Sequence, residues 1–363
     1  MPHNILLTGA SGYLGGTLLA HLSSASASLP ANSYQTLYAL VRTPSQADSV
    51  QEYGATPLTL DLTDTQTLTQ TIIDRKITII YFLIDAASSK TQIPMIEALA
   101  QVKKLTGQEV HFLHTTGAKL FSGHAGHPRD EEGRFGDVDV DGDGGVYELQ
   151  GRARAENPFI NEALKVNTTI IDTAEKHGVK SYIFIPCVVY GKGEGFGNRI
   201  SIQTVAVVKA AMKTRRVFRV DGHGERAIWP VAHIQDTVSL YLLLLGKMLQ
   251  GGTDLGSGKN GYYLAASGSV AWDDLYGAMG KRLAERGVVD DATVVDADDA
   301  ALELMGEALG RPKDFVPVEM GGSCVMEAKH GLQIGWKPKY APEHVLEVAG
   351  EEVDWILENL DRS

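Results

Sequence analysis

Three glycines near the start of the sequence, Gly9, Gly12 and Gly15, lie between a short apolar run and a helical pattern, with two residues between successive glycines. A turn without side chains lets the backbone between a strand and a helix approach a pyrophosphate. Free N–H groups and the positive end of the helix dipole then stabilise the anion. This placement favours dinucleotide binding over an ordinary glycine-rich turn. The predicted phosphate-binding residues are Gly9, Ser11, Gly12, Tyr13, Leu14 and Gly15.

The ends of the next predicted strands carry residues suited to the rest of a dinucleotide. Arg42 ends the second strand, where NAD enzymes place an acidic side chain against the ribose 2′-hydroxyl. A guanidinium suits a 2′-phosphate, so the sequence favours NADP over NAD; the alternative is a surface arginine. Asp61 and Leu62 end the third strand, near the expected adenine. Ala86 ends the fourth strand, where a small residue leaves room for the cofactor.

A second group of polar residues surrounds a change in the chain pattern. Asn198 and Arg199 follow the glycine-rich segment 191–197, and Arg226 precedes the segment 229–236. Two arginines together are suited to binding a carboxylate or a phosphate. We therefore predict that Asn198, Arg199 and Arg226 bind the substrate; the alternative is that both arginines are solvated.

The acidic segment 137–148 fits the calcium-loop template D-x-D-x-D-G-x5-E, with aspartates at alternate positions and Glu148 at the end. Gly144 replaces the branched apolar residue that such loops carry at the eighth position, and no helix pair clearly flanks the segment. These departures favour an acidic surface loop within an insertion of roughly 122–157, longer than most loops. No metal site is therefore predicted.

Apolar strand patterns alternate with helical ones through the first half of the chain. Repeated β-α-β units imply a parallel sheet with helices on both faces and ligands at the carboxyl ends of the strands. The predicted fold is α/β, a Rossmann-type doubly wound parallel sheet with a smaller C-terminal α/β substrate lobe. The predicted strands are Asn4–Leu7, Thr36–Val41, Thr56–Leu60, Ile77–Leu83, Glu109–His114 and Tyr182–Ile185, and the helices between them include Gln92–Leu105 and Val166–His177.

The pattern changes after Tyr190, which predicts a discontinuous domain boundary. Residues 1–190 form the expected NAD(P)-binding domain, to which residues 229–266 return. Residues 191–228 and 267–363 form the expected smaller substrate-binding lobe.

Composition excludes several classes of protein. The chain has 363 residues, of which 44% are hydrophobic and 21% charged, and these are globular values. A net charge of −12 argues against a nucleic-acid partner. The longest apolar run, Val238–Leu245, is too short to span a bilayer. Two cysteines are too few for a disulfide framework, and no targeting segment is visible, so we expect a cytoplasmic protein with a small-molecule substrate.

Several motifs, taken in order, resemble those of the extended and atypical short-chain dehydrogenase/reductases, which include NAD(P)-dependent epimerases and dehydratases. The similarity runs from Ile5 to about Trp355, and the segment 190–203 is similar to a little-characterised, fungal-type subgroup. It implies a nicotinamide cofactor lined by Pro186, Cys187 and Val188, and a homodimer formed through two helices of the nucleotide domain. The motifs are residues 8–15, Arg42, 61–62, 114–117, 186–191, 229–236 and 335–338.

The sequence matches the catalytic residues of this family less well than it matches the other motifs. The family places Tyr-x-x-x-Lys on the helix after the fifth strand, where the ammonium lowers the pKa of the phenol and binds the ribose. Counting back from Pro186 reaches Lys165, but the position four residues earlier holds Asn161. The resemblance therefore implies Lys165 at the cofactor and Thr116 on a substrate oxygen, beside Gly117 at the family's serine position.

The proton donor is left open between Tyr147 and Tyr190. With a proton donor, the chain is expected to be an NADP-dependent oxidoreductase or epimerase acting on a small polar metabolite. Without one, it is expected to bind NADP(H) as a regulatory protein. A non-redox isomerase or lyase that keeps the fold for its pocket is a third hypothesis.

Overall fold

A computed structural model describes residues 2–24, 29, 34–129, 133–138, 145–220 and 226–360. Its strands and helices in chain order are β1 (His3–Leu7), α1 (Tyr13–Ser24), β2 (Tyr34–Val41), α2 (Pro44–Glu52), β3 (Thr56–Thr59), α3 (Thr65–Asp74), β4 (Ile77–Phe82), α4 (Gln92–Thr106), β5 (His111–Thr115), β6 (Phe135–Gly136), α5 (Gly145–Arg152), α6 (Pro158–His177), β7 (Lys180–Pro186), β8 (Val188–Tyr190), α7 (Gln203–Thr214), β9 (Val217–Arg219), β10 (Ile228–His233), α8 (Ile234–Leu249), β11 (Tyr262–Ala265), β12 (Gly268–Ala271), α9 (Trp272–Glu285), β13 (Val294–Asp296), α10 (Asp299–Leu309), α11 (Val316–Met320), β14 (Met326–Glu327), α12 (His330–Gln333), α13 (His344–Glu347) and α14 (Ala349–Asn359).

A parallel sheet of seven strands is the centre of the described structure. Its order is β11-β7-β5-β4-β1-β2-β3, and every neighbouring pair is parallel. The chain winds outward from β1 in one direction and then returns to add β4 on the other side. The point where the order reverses is the place where open α/β sheets bind ligands, at the carboxyl ends of the strands. The predicted Rossmann-type fold is confirmed.

Alternating strand residues fill the two faces of this sheet, as the two-residue period of a strand requires. Leu6, Ile80 and Phe112 pack on the face that carries α3, α4 and α6. Ile5 and Leu113 pack on the opposite face, with α1 and α8.

The C-terminal lobe is built on smaller sheets. Strand β10 pairs with β8 in parallel and with β12 in antiparallel orientation, while β9 pairs with β13 and β6 with β14. Helices α7, α9, α10 and α14 pack on one another around these strands. Strand β11 lies in the large sheet and α8 packs on α1, so the chain returns to the large sheet after β10. The predicted domain boundaries stay predictions.

Helix α6 begins eight residues before its predicted start at Val166. The side chain of Asn157 accepts hydrogen bonds from the N–H groups of Phe159 and Ile160, and Pro158 occupies the first helical position. An asparagine cap followed by proline is a common helix start, because the side chain satisfies free donors and the ring fixes φ. The earlier start adds about two turns of helix at the carboxyl end of the sheet.

The outer face of α6 carries Glu162, Lys165, Asp172 and Lys176. This charged face gives the expected homodimer no apolar contact surface, and the dimer stays a prediction. No helix among the described residues is long and apolar enough to cross a bilayer.

Candidate dinucleotide and substrate site

The glycine-rich turn has the backbone geometry that its sequence predicts. Gly9 has a φ of 74°, which favours glycine. A Cβ on Gly15 would lie 2.2 Å from the carbonyl oxygen of Gly9, so only glycine lets α1 pack this closely on the turn. The third glycine of such turns serves this close packing of helix and strand.

The first turn of α1 presents free donors to a cavity. The N–H groups of Tyr13, Leu14 and Gly15 have no hydrogen-bond partner among the described residues, as expected for the first turn of a helix. Tyr13 and Leu14 line a cavity of about 280 Å³ at the carboxyl end of the sheet. These residues therefore fit the diphosphate of a dinucleotide whose nicotinamide end extends into the cavity.

This cavity, called the smaller cavity below, is lined by residues from seven parts of the chain. The α1 start, the loop after β4, the loop after β5, the first turns of α6 and the β7–β8 junction all contribute, together with the start of α7 and β10. The lining residues are Tyr13, Leu14, Ala86, Ala87, Thr116, Gly117, Ala118, Lys119, Leu120, Phe159, Ala163, Pro186, Cys187, Val189, Ile202, Gln203 and Trp229.

The two threonines after β5 face different surroundings. Thr115 is hydrogen-bonded to the hydroxyl of Tyr241 on α8, at 2.7 Å, so it has a structural partner. Thr116 lines the smaller cavity, is 6% exposed, and its hydroxyl has no partner among the described residues. A buried donor without a partner is uncommon in folded proteins and fits a site that awaits a ligand oxygen. The role of Thr116 at a substrate oxygen stays a prediction.

Lys119 is the one charged side chain that lines the smaller cavity within the described part of the chain. Its ammonium lies 2.6 Å from a carboxylate oxygen of Glu319 on α11, and both side chains are largely buried. The ion pair joins the loop after β5 to the C-terminal lobe across the mouth of the site.

The face of α6 that lines the cavity carries Phe159 and Ala163, four residues apart. Residues at this spacing share a helix face, so these two positions are where a tyrosine–lysine pair would stand. Lys165 lies two residues further, about 200° around the helix. Its side chain is 66% exposed and pairs with Glu162 at 2.9 Å. The alignment that placed Lys165 at the cofactor, with Asn161 before it, is therefore displaced by two residues.

The two tyrosines considered as proton donors lie outside the smaller cavity. The hydroxyl of Tyr147 donates to the carboxylate of Asp172 at 2.6 Å, and this hydrogen bond raises its pKa to about 12. Tyr190 is hydrogen-bonded to Nδ1 of His344 at 3.0 Å, and burial raises its pKa. The expected catalytic role of Tyr147 is not supported by its position, because its partners are on the outside of α6.

The other predicted cofactor residues lie along the same edge of the sheet. Arg42 is exposed after β2, next to the turn that follows β1. Asp61 is exposed, and its carboxylate accepts from the N–H and hydroxyl of Thr63, which lowers its pKa. Leu62 is partly buried against the core, and Ala86 lines the smaller cavity.

At the β7–β8 junction, Val189 lines the cavity in place of the predicted Val188. Pro186 lines it as predicted, whereas Val188 is fully buried in the core and Val189 takes its place. Cys187 also lines it, and its thiol donates to the carbonyl of Ala265 at 3.1 Å. Burial raises the pKa of this thiol well above its usual value, so it remains a buried small side chain rather than a nucleophile.

Asn198 and Arg199 build a loop and line neither cavity. The N–H of Asn198 donates to the carbonyl of Ser11 at 2.9 Å, and a Cβ on Gly197 would lie 2.2 Å from that same oxygen. The side chain of Arg199 donates to the carbonyl of Gly195 at 2.6 Å. The glycine-rich segment 191–197 therefore packs directly against the phosphate-binding turn, and its glycines allow that contact.

A second cavity of about 1140 Å³, called the larger cavity below, lies in the C-terminal lobe. Arg226 lines it and forms an ion pair with Asp274, and its predicted role in substrate binding stays a prediction. The rings of His124, which lines the larger cavity, and Trp229, which lines the smaller one, lie 6.5 Å apart. The two cavities therefore flank Trp229. The charged and histidine residues of the larger cavity are His124, Arg129, Arg134, Arg226, Lys329, Asp274, Glu327 and Glu343.

The acidic segment is described only in part, since 139–144 of the calcium template lie outside the described residues. Asp137 is buried, and its carboxylate accepts from the backbone N–H groups of Leu264, Lys329 and His330. Asp137, the first residue of the calcium-loop template, thus connects the insertion to β11 and to the start of α12 through hydrogen bonds. No group of three or more metal-ligating side chains is present among the described residues.

Comparison with protein-family models and with curated proteins found no match. Solved structures with a similar fold include the UDP-glucose 4-epimerase of Thermotoga maritima with UDP-glucose, at 16% identity and a TM-score of 0.61 over 98% of this chain and 99% of that one. The dTDP-glucose 4,6-dehydratase of Bacillus anthracis in complex with NAD has 12% identity and a TM-score of 0.61 over 99% and 98%. A monomeric L-threonine 3-dehydrogenase of metagenomic origin has 15% identity and a TM-score of 0.57 over 97% and 99%.

These identities show the fold and not the activity, since one fold supports many functions. The chain is a Rossmann-type α/β protein whose whole length follows the fold shared by these epimerase, dehydratase and dehydrogenase structures.

Proposed function

We propose that this chain is an NADP(H)-dependent oxidoreductase of the extended or atypical short-chain dehydrogenase/reductase type, acting on a small substrate that carries an anionic group. The observation that carries the proposal is the first turn of α1. Its free N–H groups, on Tyr13, Leu14 and Gly15, lie at the switch point of the sheet and open toward the smaller cavity. A fungal-type subgroup remains the resemblance that its 190–203 segment supports.

Arg42 supports NADP over NAD. It follows β2 beside the glycine-rich turn, its side chain is exposed, and its backbone N–H is held by Gln46 at 2.9 Å. A guanidinium at this strand end is suited to the 2′-phosphate that distinguishes NADP, whereas NAD enzymes place a carboxylate there.

The larger cavity supports an anionic substrate. Arg129, Arg134, Arg226 and Lys329 contribute four positive charges to its walls, against three carboxylates. The excess is one positive charge, since Arg134 and Lys329 pair with Glu327 and Arg226 pairs with Asp274. It lies in a chain whose net charge is −12. Cations in a concave site attract and orient a carboxylate or phosphate.

We assign proton transfer to the residues after β5, because the residues of α6 that line the smaller cavity are Phe159 and Ala163, which cannot transfer a proton. When bound, a nicotinamide supplies or accepts the hydride. The hydroxyl of Thr116 is free to hold a substrate oxygen, and the ammonium of Lys119 carries a proton at the same cavity. Glu319 holds Lys119 in place. We assign proton donation to Lys119 and orientation of the substrate oxygen to Thr116.

A second candidate function, an NADP(H)-binding regulator without turnover, is favoured by the same two residues of α6. Phe159 and Ala163 have neither the phenol nor the ammonium with which the resembled family transfers protons. A regulator can respond to redox state only through a difference in its affinity for NADP⁺ and NADPH. Equal dissociation constants for the two forms would exclude this candidate.

Calorimetry with NADPH and NADH tests the proposal. Gly12→Val places a branched side chain at the phosphate-binding turn and is expected to abolish NADPH binding. Gly277→Val is the matched control, because a Cβ on Gly277 meets no atom within 4 Å. If the wild-type protein binds neither nucleotide, or Gly12→Val binds as well as Gly277→Val, the proposal is wrong. NADPH consumption with carbonyl substrates then separates the enzyme from the regulator.

A further inference from the structure

The outer wall of the smaller cavity is apolar, although the resembled enzymes include proteins whose structures hold nucleotide sugars. Leu120, Phe159, Ala163 and Ile202 form this wall. Phe159 and Ile202 are 57% and 63% exposed, and both line the cavity, so they form an apolar rim. Exposed large apolar side chains grouped at a cavity mark a surface that binds a ligand.

Two buried donors in the same cavity have no partner among the described residues. One is the hydroxyl of Thr116, and the other is Nε1 of Trp229, whose side chain is 2% exposed. The indole N–H can only donate, and the hydroxyl can donate as well. Buried donors without acceptors call for an explanation, and ligand acceptor atoms in this cavity would supply one.

We propose that the substrate is a carbonyl compound whose reacting end is apolar, an aryl or alkyl ketone or aldehyde. Its oxygen accepts hydrogen bonds from Thr116 and Trp229, and its apolar part contacts Leu120, Phe159, Ala163 and Ile202. This inference rests on the proposed function and names the substrate class of that same site. Trp229 is a positioning residue here, since it binds the oxygen and carries no transferable proton.

A sugar ring fits this wall poorly. Hydroxyl groups on successive carbons each need a hydrogen-bond partner when water is displaced. The polar side chains that line the cavity are Tyr13, Thr116, Lys119, Cys187, Gln203 and Trp229. Of these, the Tyr13 hydroxyl already donates to the carbonyl of Gly191, and Lys119 is already paired with Glu319. The apolar reacting end of the proposed substrate needs hydrogen-bond partners for its carbonyl oxygen only, and its anionic group would lie outside this cavity.

Binding of two small ketones to the NADP⁺-saturated protein tests this inference without turnover. Acetophenone and dihydroxyacetone each carry one ketone, on an apolar and on a polar frame, and calorimetry gives both dissociation constants. We expect acetophenone to bind at least about tenfold more tightly. The exposed rim positions allow Phe159→Asn and Ile202→Asn without loss of the fold, and each is expected to weaken acetophenone binding by about five- to tenfold.

Trp229→Phe keeps an aromatic ring and removes the N–H. It is expected to weaken acetophenone binding by about five- to tenfold and to leave the affinity for NADP⁺ unchanged. Trp272→Phe is the matched control, because Trp272 is equally buried but its Nε1 already donates to the carbonyl of Gly322 at 3.0 Å. This control is expected to leave the ketone affinity within about twofold.

The outcomes separate this inference from the proposed function. Protein that binds NADP⁺ but binds acetophenone no better than dihydroxyacetone, or binds neither ketone, overturns the inference. So does a Trp229→Phe variant that binds acetophenone as the wild type does. Failure to bind NADP⁺ overturns the proposed function instead, and the ketone titrations repeated without nucleotide then decide the inference by the same criteria.

Discussion

The ammonium of Lys119 lies 2.6 Å from a carboxylate oxygen of Glu319, so that an ion pair spans from the carboxyl end of β5 to the C-terminal lobe. Lys119 also lines the smaller cavity, beside the free hydroxyl of Thr116. The pair holds an ammonium at a cavity to which α6 contributes only Phe159 and Ala163. Glu319 fixes the direction of a long side chain that would otherwise be mobile.

Lys119→Met is expected to lower kcat by about 10² to 10⁴, the usual contribution of a proton donor. The dissociation constant for NADPH is expected to stay within about twofold, because the residues proposed to bind the diphosphate and the 2′-phosphate, in the first turn of α1 and at Arg42, do not include Lys119. Steady-state kinetics and calorimetry measure both. Lys165→Met is the matched control and should leave kcat unchanged, since its ammonium is exposed and paired with Glu162. An equal decrease in kcat in the two variants would indicate that the proton donor lies on α6 and is not Lys119.

Arg42→Ala is expected to weaken NADPH binding by about ten- to a hundredfold and to leave NADH binding within about twofold. The reason is that a charge-assisted hydrogen bond to the 2′-phosphate is lost, and NADH has no such group. Arg216→Ala, which removes an exposed arginine of the lobe that pairs with Asp291, serves as control. An equal loss of affinity for NADPH and NADH would show that Arg42 does not bind the 2′-phosphate.

The sheet and its switch point were predictable because each depends on local sequence. The period of apolar residues identifies strands, and the glycine spacing identifies the turn, so the six predicted strands all lie in the central sheet. The start of α6 was also readable, since Asn157 and Pro158 carry a known capping signal. The position of Lys165 was instead inferred from its distance along the chain to Pro186, and that distance does not determine which face of α6 lines the cavity.

Other parts of the site depend on contacts between segments that are distant in the sequence, and no local sequence pattern predicts such contacts. Lys119 is identified by its place in a cavity and by Glu319, which is 200 residues away. The packing of Gly197 on Ser11 is likewise a tertiary contact. Val188 and Val189 are adjacent and alike in type, and only the direction of β8 decides which one lines the cavity.

Gly197→Ala is expected to destabilise the fold by about 1–3 kcal/mol, because its Cβ would lie 2.2 Å from the carbonyl oxygen of Ser11 and the loop must move away. The same displacement disturbs the turn that receives the diphosphate, so NADPH affinity should fall as well. Urea unfolding and calorimetry measure the two effects. Gly151→Ala is the control, since its Cβ would meet nothing within 4 Å. Unchanged stability in Gly197→Ala would mean that the loop does not pack on the turn.

His114 makes the fold sensitive to acid. Burial lowers the pKa of this ring to about 3, so the folded state stays unprotonated while the unfolded chain, with an ordinary histidine pKa near 6.5, takes up a proton. Stability is therefore lost as the pH falls from about 6.5 toward 3. By linkage, His114 alone costs about 2 kcal/mol at pH 5 relative to pH 7.5.

His114→Leu is expected to remove this cost. The stability of the variant relative to wild type should rise by about 2 kcal/mol between pH 7.5 and pH 5, measured by urea unfolding at both values. Both ring nitrogens of His114 lack partners among the described residues, so the variant loses no hydrogen bond there. His177→Leu, at the partly exposed end of α6, is the control. A pH-independent difference would contradict the buried, neutral state of His114.

Arg226 and Asp274 form an ion pair, and we expect substitutions of the two residues to change the affinity for an anion in opposite directions. An anion that binds in the larger cavity competes with Asp274 for the guanidinium. Asp274→Asn should therefore strengthen the binding of inorganic pyrophosphate to NADP⁺-saturated protein, and Arg226→Ala should weaken it, each by about three- to tenfold. Both side chains are more than a third exposed, so salt screens the interaction and both effects should shrink as the ionic strength rises. Changes in the same direction for the two variants would mean that Arg226 serves the fold through Asp274 and does not bind the substrate.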